Sequence, residues 1–258
     1  MSYVNLFDKQ TGFIRAKNSD GKFVSPFDPY YSNHDGKISS YVEGNAWQHS
    51  FFVPHDIRGL GSQYGSYAKF GQKLDSLFSV SSKVTGEQAS ADITGLIGQY
   101  AHGNEPSHHI AYMYNYIGEP WKTQKLVRTI IDSLYHDNPD DGYSGNEDCG
   151  QMSAWAVWSI AGLYPVNPAN GQYVFGSPMT DEVTFKLAGG KIFKIKAKNN
   201  SKQNLYIQQA TLNGKPYPLT YIDHKVLLNG GTLEFTMGSR PSGTWGRKPA
   251  SWPASANN

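Results

Sequence analysis

The feature that most constrains this chain is a change of hydrophobic period near residue 168. Upstream, apolar residues recur at helical spacing. Downstream, they fall in short runs parted by Gly-Gly, Asn-Asn, Asn-Gly and Pro turns. Tyr67, Phe70, Leu74, Leu77 and Phe78 predict a helix beginning near Leu60, and further helices are expected over 93–100 and 107–116. The clearest pattern lies over 119–135, where Pro120 suits a first turn and Leu126, Val127, Ile130, Ile131 and Leu134 form one apolar stripe. A fifth helix runs from about Gly150 through Trp155 to Gly162, and Pro165 and Pro168 prevent its continuation. Strands are expected at 173–175, 183–185, 191–196, 205–207, 225–228 and 233–235. The run 191–196 alternates like a half-exposed antiparallel strand. The class is therefore α+β: a helical part over 1–168, a β-rich part over 169–240, and a Ser-, Pro- and Gly-rich tail over 241–258 that should fray. Residues 1–60 are mostly irregular. Loops of that length are functional or held by larger neighbours, and the opening reads like the middle of a larger fold with no visible signal peptide.

Composition removes several functional classes. Lys plus Arg is 23 and Asp plus Glu 21, so the net charge is 23 − 21 = +2, and no basic block suggests a nucleic-acid partner. No window approaches the ~18 apolar residues of a membrane span. The single cysteine, Cys149, excludes an intramolecular disulfide and a multi-thiolate zinc site. Charged residues are scarce at 17% against roughly 25% for soluble domains, while aromatics reach 14%. Rings for sugar C–H faces and amides for hydroxyls suit carbohydrate work, although the same excess also serves an ordinary core.

Three segments concentrate acids, amides, His and Trp beside Gly or Pro: 41–48 with 51–56, 102–109, and 145–155. Each is expected at or just before a helix N-terminus, where backbone N–H groups favour carboxylates. Taken singly, Glu105 and Asp148 read as N-caps. Three such segments together point to a shared site. Glycosidic cleavage needs two carboxyl groups, one to protonate the leaving oxygen and one to activate water or attack. Glu43, Glu105, Glu147 and Asp148 are the candidates, with Trp47 as a stacking platform. A hard cation such as calcium would take oxygen ligands, for example Glu147, Asn45 and Asn146. The adjacent His108 and His109 point in different directions on a helix, which disfavours a shared transition metal. Cys149, beside a carboxylate, is expected to be a buried structural thiol.

The runs NLFDKQTGFIRAKNSDGKFVSPFDP, EGNAWQ…FFVPHD, HGNEPSHH and GNEDCGQMSAWAVWSIAGLYPVNPANGQYVFGSP, in this order, resemble glycoside hydrolase family 92 from residue 5 to about 185. The resemblance implies a calcium-dependent exo-α-mannosidase that inverts anomeric configuration. It also implies that 1–168 is the second half of an (α/α)6 barrel, followed by a C-terminal antiparallel β domain. It maps the general acid onto Glu43 and the general base onto Asp148, and puts Trp47, Asn104, Glu105 and Asn146 at the substrate and Glu147 near Ca2+. Two positions depart from the family pattern. Asn146 stands where a second acid often assists the base. Asn104-Glu105-Pro106 stands where members cutting α-1,2 linkages carry His-Glu-Pro, so Glu105 is retained without the His, which weakens an α-1,2 preference. The implied partner is an α-mannoside glycan, and family members usually act outside the cytoplasm. The alternatives are a carbohydrate-binding or catalytically incompetent fragment, another (α/α)-barrel glycosidase or phosphorylase, and a purely structural protein.

Overall fold

The computed structural model describes residues 1–33 and 39–256. The chain forms two compact units. The first contains residues 1–110 and 134–152 together with the chain's end from Ser255, and the second contains 111–133 and 153–254.

In the first unit, α1 (Tyr3–Leu6) leads into a two-stranded hairpin of β1 (Phe7–Asp8) and β2 (Phe13–Ile14). After a long irregular stretch come α2 (Ala46–His49), α3 (Ile57–Gln63) and α4 (Tyr67–Leu77). Ser66 caps α4 through Lys69 N–H, and Phe70, Leu74 and Leu77 put its buried stripe into the core. The helix expected over 93–100 is instead a hairpin, β3 (Leu96–Ile97) with β4 (Tyr100–Ala101). Gly95 and Gly98, both at positive φ, break the helical path that the apolar spacing suggested. The region 107–116 forms two 3-10 segments, Glu105–Ser107 and Ile110–Tyr116, rather than one α-helix.

In the second unit, α5 (Pro120–Leu134) and α6 (Gln151–Ile160) match the predicted helices closely. They are followed by β5 (Leu163–Tyr164), β6 (Gln172–Phe175), β7 (Glu182–Lys186), β8 (Ile192–Lys198), β9 (Tyr206–Leu212), β10 (Lys215–Pro216), β11 (Tyr221–Asp223), α7 (His224–Leu228) and β12 (Gly231–Gly238). The larger sheet has the order β10-β9-β12-β8-β7 and the smaller one β11-β6-β5. All pairings are antiparallel except β8 with β12, which run parallel. Alternation places Phe193, Ile195 and Ala197 of β8 and Leu233, Phe235 and Met237 of β12 on one buried face. The run 225–228, expected as a strand, is α7. Only Leu227 of it is buried, and so short an apolar run carries no decisive period.

The packing does not divide at residue 168. The buried α5 side chains of Gln124 and Arg128 belong with the sheets: Gln124 Oε1 accepts the Ile207 N–H at 3.0 Å, and Arg128 donates to Ser177 Oγ (3.0 Å), Asn200 Oδ1 (2.6 Å) and the Pro178 carbonyl. The change of period is thus a change of element type, not of core. The expected frayed tail is also anchored. Trp245 stacks on Phe175 with ring centroids 6.4 Å apart, the Thr220 N–H donates to the Ser251 carbonyl, and the Ala254 N–H donates to Gln172 Oε1. In the first unit, Ser255 Oγ donates to Asp56 Oδ1 at 2.9 Å and accepts from Arg58 N–H at 3.1 Å. Asn257 and Asn258 lie outside the described residues.

Asp56 is fully buried, caps α3 through Gly59 N–H, and also accepts from Tyr3 Oη at 2.8 Å. Deleting residues 255–258 removes one of its donors. Unfolding stability should fall by about 1–3 kcal/mol, measured as a lower urea midpoint at unchanged slope; a frayed tail would leave the midpoint where it was.

Candidate active site

The three acidic segments meet within the first unit. The first is built from a capping box: Asn45 Oδ1 accepts the Trp47 and Gln48 N–H groups, and Gln48 Oε1 returns to the Asn45 N–H at 2.7 Å. Buried amides extend it. Asn45 Nδ2 donates to Gln99 Oε1 at 2.9 Å, Gln48 Nε2 to the Gln99 carbonyl at 2.8 Å, and Gln99 Nε2 to the Ser81 and Lys83 carbonyls. Glu43 stands two residues before this anchor, exposed, on a backbone at φ 57°. Gly44 follows because a Cβ there would lie 2.7 Å from His49 Nε2, whose ring is bonded to the Val42 carbonyl at 2.6 Å. Asn104 is the N-cap residue of the segment Glu105–Ser107, but its side chain does not cap. It donates instead to the Glu43 carbonyl at 3.0 Å, joining the second segment to the first.

The third segment holds Asp148 and Cys149 at φ 49° and 57°. Among the described residues, only Asn199 and Asn213 join Glu43, Asp148 and Cys149 as non-glycine residues at positive φ. Asn and Asp tolerate that region in turns, whereas Glu43 and Cys149 there cost roughly 1–3 kcal/mol each and mark a constrained site. Gly145, at φ 73°, lets this loop touch the second one: a Cβ on it would meet the Gly103 carbonyl oxygen at 2.8 Å.

Electrostatics agree with this convergence. The Glu105 carboxyl pKa is raised, first by burial, then by its hydrogen bond to Asp148 and by the charges of Asp148 and Glu43. The named neighbours of the Glu105 carboxyl are thus Asp148 of the third segment and Glu43 of the first. Neither Glu105 nor Asp148 is a simple N-cap.

Other expected site residues lie elsewhere or act differently. Trp47 is only 6% exposed. Its ring meets Phe13 edge-on at 4.8 Å and lies near Tyr30, and Lys73 Nζ sits 4.3 Å over it. The capping box turns the indole toward the core, which leaves little of its ring open to a sugar. Lys73 Nζ also lies 3.4 Å over Phe13, and burial lowers its pKa to about 8. Cys149 is exposed, not buried, because its positive φ turns it outward. Asn146 is exposed in the same loop. Glu147 Oε2 accepts the Gly150 N–H and closes the turn before α6. His108 and His109 donate Nε2–H to the His102 and Phe51 carbonyls at 2.9 and 2.8 Å, and burial lowers both pKa values to about 4. Among the described residues, no three His, Cys, Asp or Glu side chains gather closely enough to hold a cation. Asn45 Oδ1 is taken by its capping box and Glu147 Oε2 by the Gly150 N–H, so these two side chains offer few free oxygens toward the six to eight that calcium takes.

The family profile described as "Glycosyl hydrolase family 92 catalytic domain" matches residues 1–239. The chain belongs to glycosyl hydrolase family 92. It is 38% identical to a family GH92 α-mannosidase from Bacteroides thetaiotaomicron solved with mannoimidazole, with a TM-score of 0.91 over 98% of this chain and 33% of that one. A family GH92 inverting mannosidase of the same organism gives 36% identity and a TM-score of 0.84, over 99% of this chain and 35% of that one. An uncharacterized secreted glycosidase of Arthroderma benhamiae is 35% identical over 95% of this chain and 32% of its own length. The chain therefore spans about a third of the length of these relatives.

Sequence reasoning missed the pairing of Glu105 with Asp148, the bond from Asn104 to the Glu43 backbone, and the role of Gln99. Glycines at 44, 145 and 150 beside the acids were the available signal. Since Glu105 binds a proton more tightly folded than unfolded, it lowers stability as pH rises above the ordinary glutamate range. Glu105→Gln should remove that loss. Its melting temperature relative to the wild type should rise from pH 4 to pH 8, read by calorimetry; a pH-independent difference would contradict the raised pKa.

Proposed function

We propose that this chain carries the acid and base of an inverting exo-α-mannosidase. Glu43 is the general acid, Asp148 the general base, and Glu105 lies at the leaving-group side. The observation that supports this best is the convergence of the three acidic loops, with Glu43 and Asp148 both on positive-φ backbone. In the reaction, the Asp148 carboxylate takes a proton from a water, whose oxygen attacks the anomeric carbon from the face opposite the glycosidic oxygen. The C–O bond to the leaving group breaks as Glu43 gives its proton to that oxygen. The products are mannose of inverted configuration and the free alcohol. A water must fit between acid and base, which calls for roughly 6.5–9.5 Å between their carboxyl groups.

An α-linked mannoside is the substrate class suggested by the relatives named as mannosidases, one of them bound to mannoimidazole. Family resemblance implies calcium. The side chains of Asn45 and Glu147 offer it few free oxygens, and no step is derived through it. The same reading assigns 1–168 to part of an (α/α)6 barrel and 169–240 to a β-rich C-terminal domain, and it places the protein outside the cytoplasm, as with the secreted fungal relative. No helix among the described residues is long and apolar enough to cross a membrane.

On 4-nitrophenyl α-mannoside, Glu43→Gln and Asp148→Asn should each lower kcat by about 10²–10⁴-fold, with β-mannose as the first product seen by NMR. Wild-type turnover in both variants would overturn the assignment. A melting shift with mannoimidazole but no turnover would leave binding alone, and a phosphate-dependent rate would indicate a phosphorylase.

A further inference from the structure

Beneath the acidic loops lies a set of buried rings that the acid–base assignment does not use. Tyr100 Oη and His102 Nδ1 are 2.8 Å apart, His102 Nε2 and Tyr135 Oη 2.8 Å, and Tyr135 Oη donates to the Met152 carbonyl at 3.1 Å. The donors are assigned from Tyr135 Oη donating to the Met152 carbonyl. A carbonyl only accepts, so the Tyr135 hydrogen points at Met152 and its oxygen accepts from His102. His102 therefore carries its proton on Nε2, and its bare Nδ1 accepts from Tyr100. A second ring repeats the logic. His108 donates Nε2–H to the His102 carbonyl at 2.9 Å, leaving Nδ1 to accept from Gln151 Nε2 at 3.2 Å. The two imidazoles are tilted by 34° to each other with centroids 5.0 Å apart, and burial lowers the pKa of both.

These bonds join two specific places. His102 lies two residues before Asn104, which holds the Glu43 backbone, and three before Glu105. Gln151 and Met152 lie three and four residues after Asp148. We infer that His102, Tyr135 and the His108–Gln151 pair are positioning residues that lock the Asp148 loop to the Glu105 loop through a one-directional hydrogen-bond chain. Losing one would let the positive-φ turn at Asp148 and Cys149 relax, and with it the aim of the base. The catalytic consequence rests on the mannosidase reading above; the loop-locking does not.

Cys149, exposed and the only cysteine of the chain, reports the loop directly. The experiment compares Tyr135→Phe, His102→Gln and His102→Asn with the wild type, well below their melting temperatures. It reads kcat and KM on 4-nitrophenyl α-mannoside and the rate at which dithiobis(nitrobenzoate) modifies Cys149. Tyr135→Phe should lower kcat by about 10- to 100-fold at little-changed KM and raise the thiol rate severalfold. His102→Gln, whose amide nitrogen can stand in for Nε2, should retain more of both properties than His102→Asn, which reaches only the Nδ1 position. Variants that melt lower but keep the wild-type kcat and thiol rate would overturn the inference and leave the rings a purely structural role. If the wild type shows no turnover, the mannosidase reading fails, and the thiol rates alone decide the locking.

Discussion

The structure around the acids is organised by a repulsion. Carboxyl groups from three loops act on one another, and after burial the nearby Asp148 and Glu43 charges are what raise the Glu105 pKa. A flexible chain would swing them apart. Here the backbone resists that separation, and burial with the neighbouring charges favours the protonated form of Glu105. The buried amides under Glu43, the Asn104 bond to the Glu43 carbonyl and the glycine contact between the second and third loops all resist the same outward force.

The division of labour between side chains and backbone follows. Polar groups that looked suited to a ligand are spent on holding loops: Asn45 and Gln48 on a capping box, Asn104 on a carbonyl, Glu147 on a turn, His108 and His109 on carbonyls. The acids that stand in the open, Glu43 and Asp148, are those whose backbone lies at positive φ. Trp47 illustrates the same economy. Its indole sits between Phe13 and the Lys73 ammonium, so the largest ring in the first motif stiffens the acid's loop and has little of its surface open to a sugar.

What the sequence made legible depended on whether the signal was local. The stripe of α5, the stop after α6 at Gly162 and the alternation of β8 follow from periods of 3.6 and 2, and each appears where expected. The hairpin at 96–101 and the helix at 224–228 did not, because short apolar runs fit either period until glycine dihedrals and burial choose between them. In the candidate site, the convergence of three acidic motifs was readable from their shared composition. The destination of each side chain was not. Trp47 turns inward because of a cap two residues earlier, Cys149 turns outward because of a positive φ, and the Glu105–Asp148 bond joins positions 43 apart in sequence, for which no local period exists.

The larger sheet of the second unit has one further property. β12 is the last of this sheet's five strands to be made, yet it lies at the centre of the sheet, parallel to β8 on one side and antiparallel to β9 on the other. The β7–β8 and β9–β10 hairpins can each form early from neighbouring sequence, but nothing joins them until Gly231–Gly238 is inserted between them. During vectorial synthesis, two half-sheets with open hydrogen-bonding edges must therefore wait for the final strand, and that interval is when this unit is most exposed to pairing with the wrong chain.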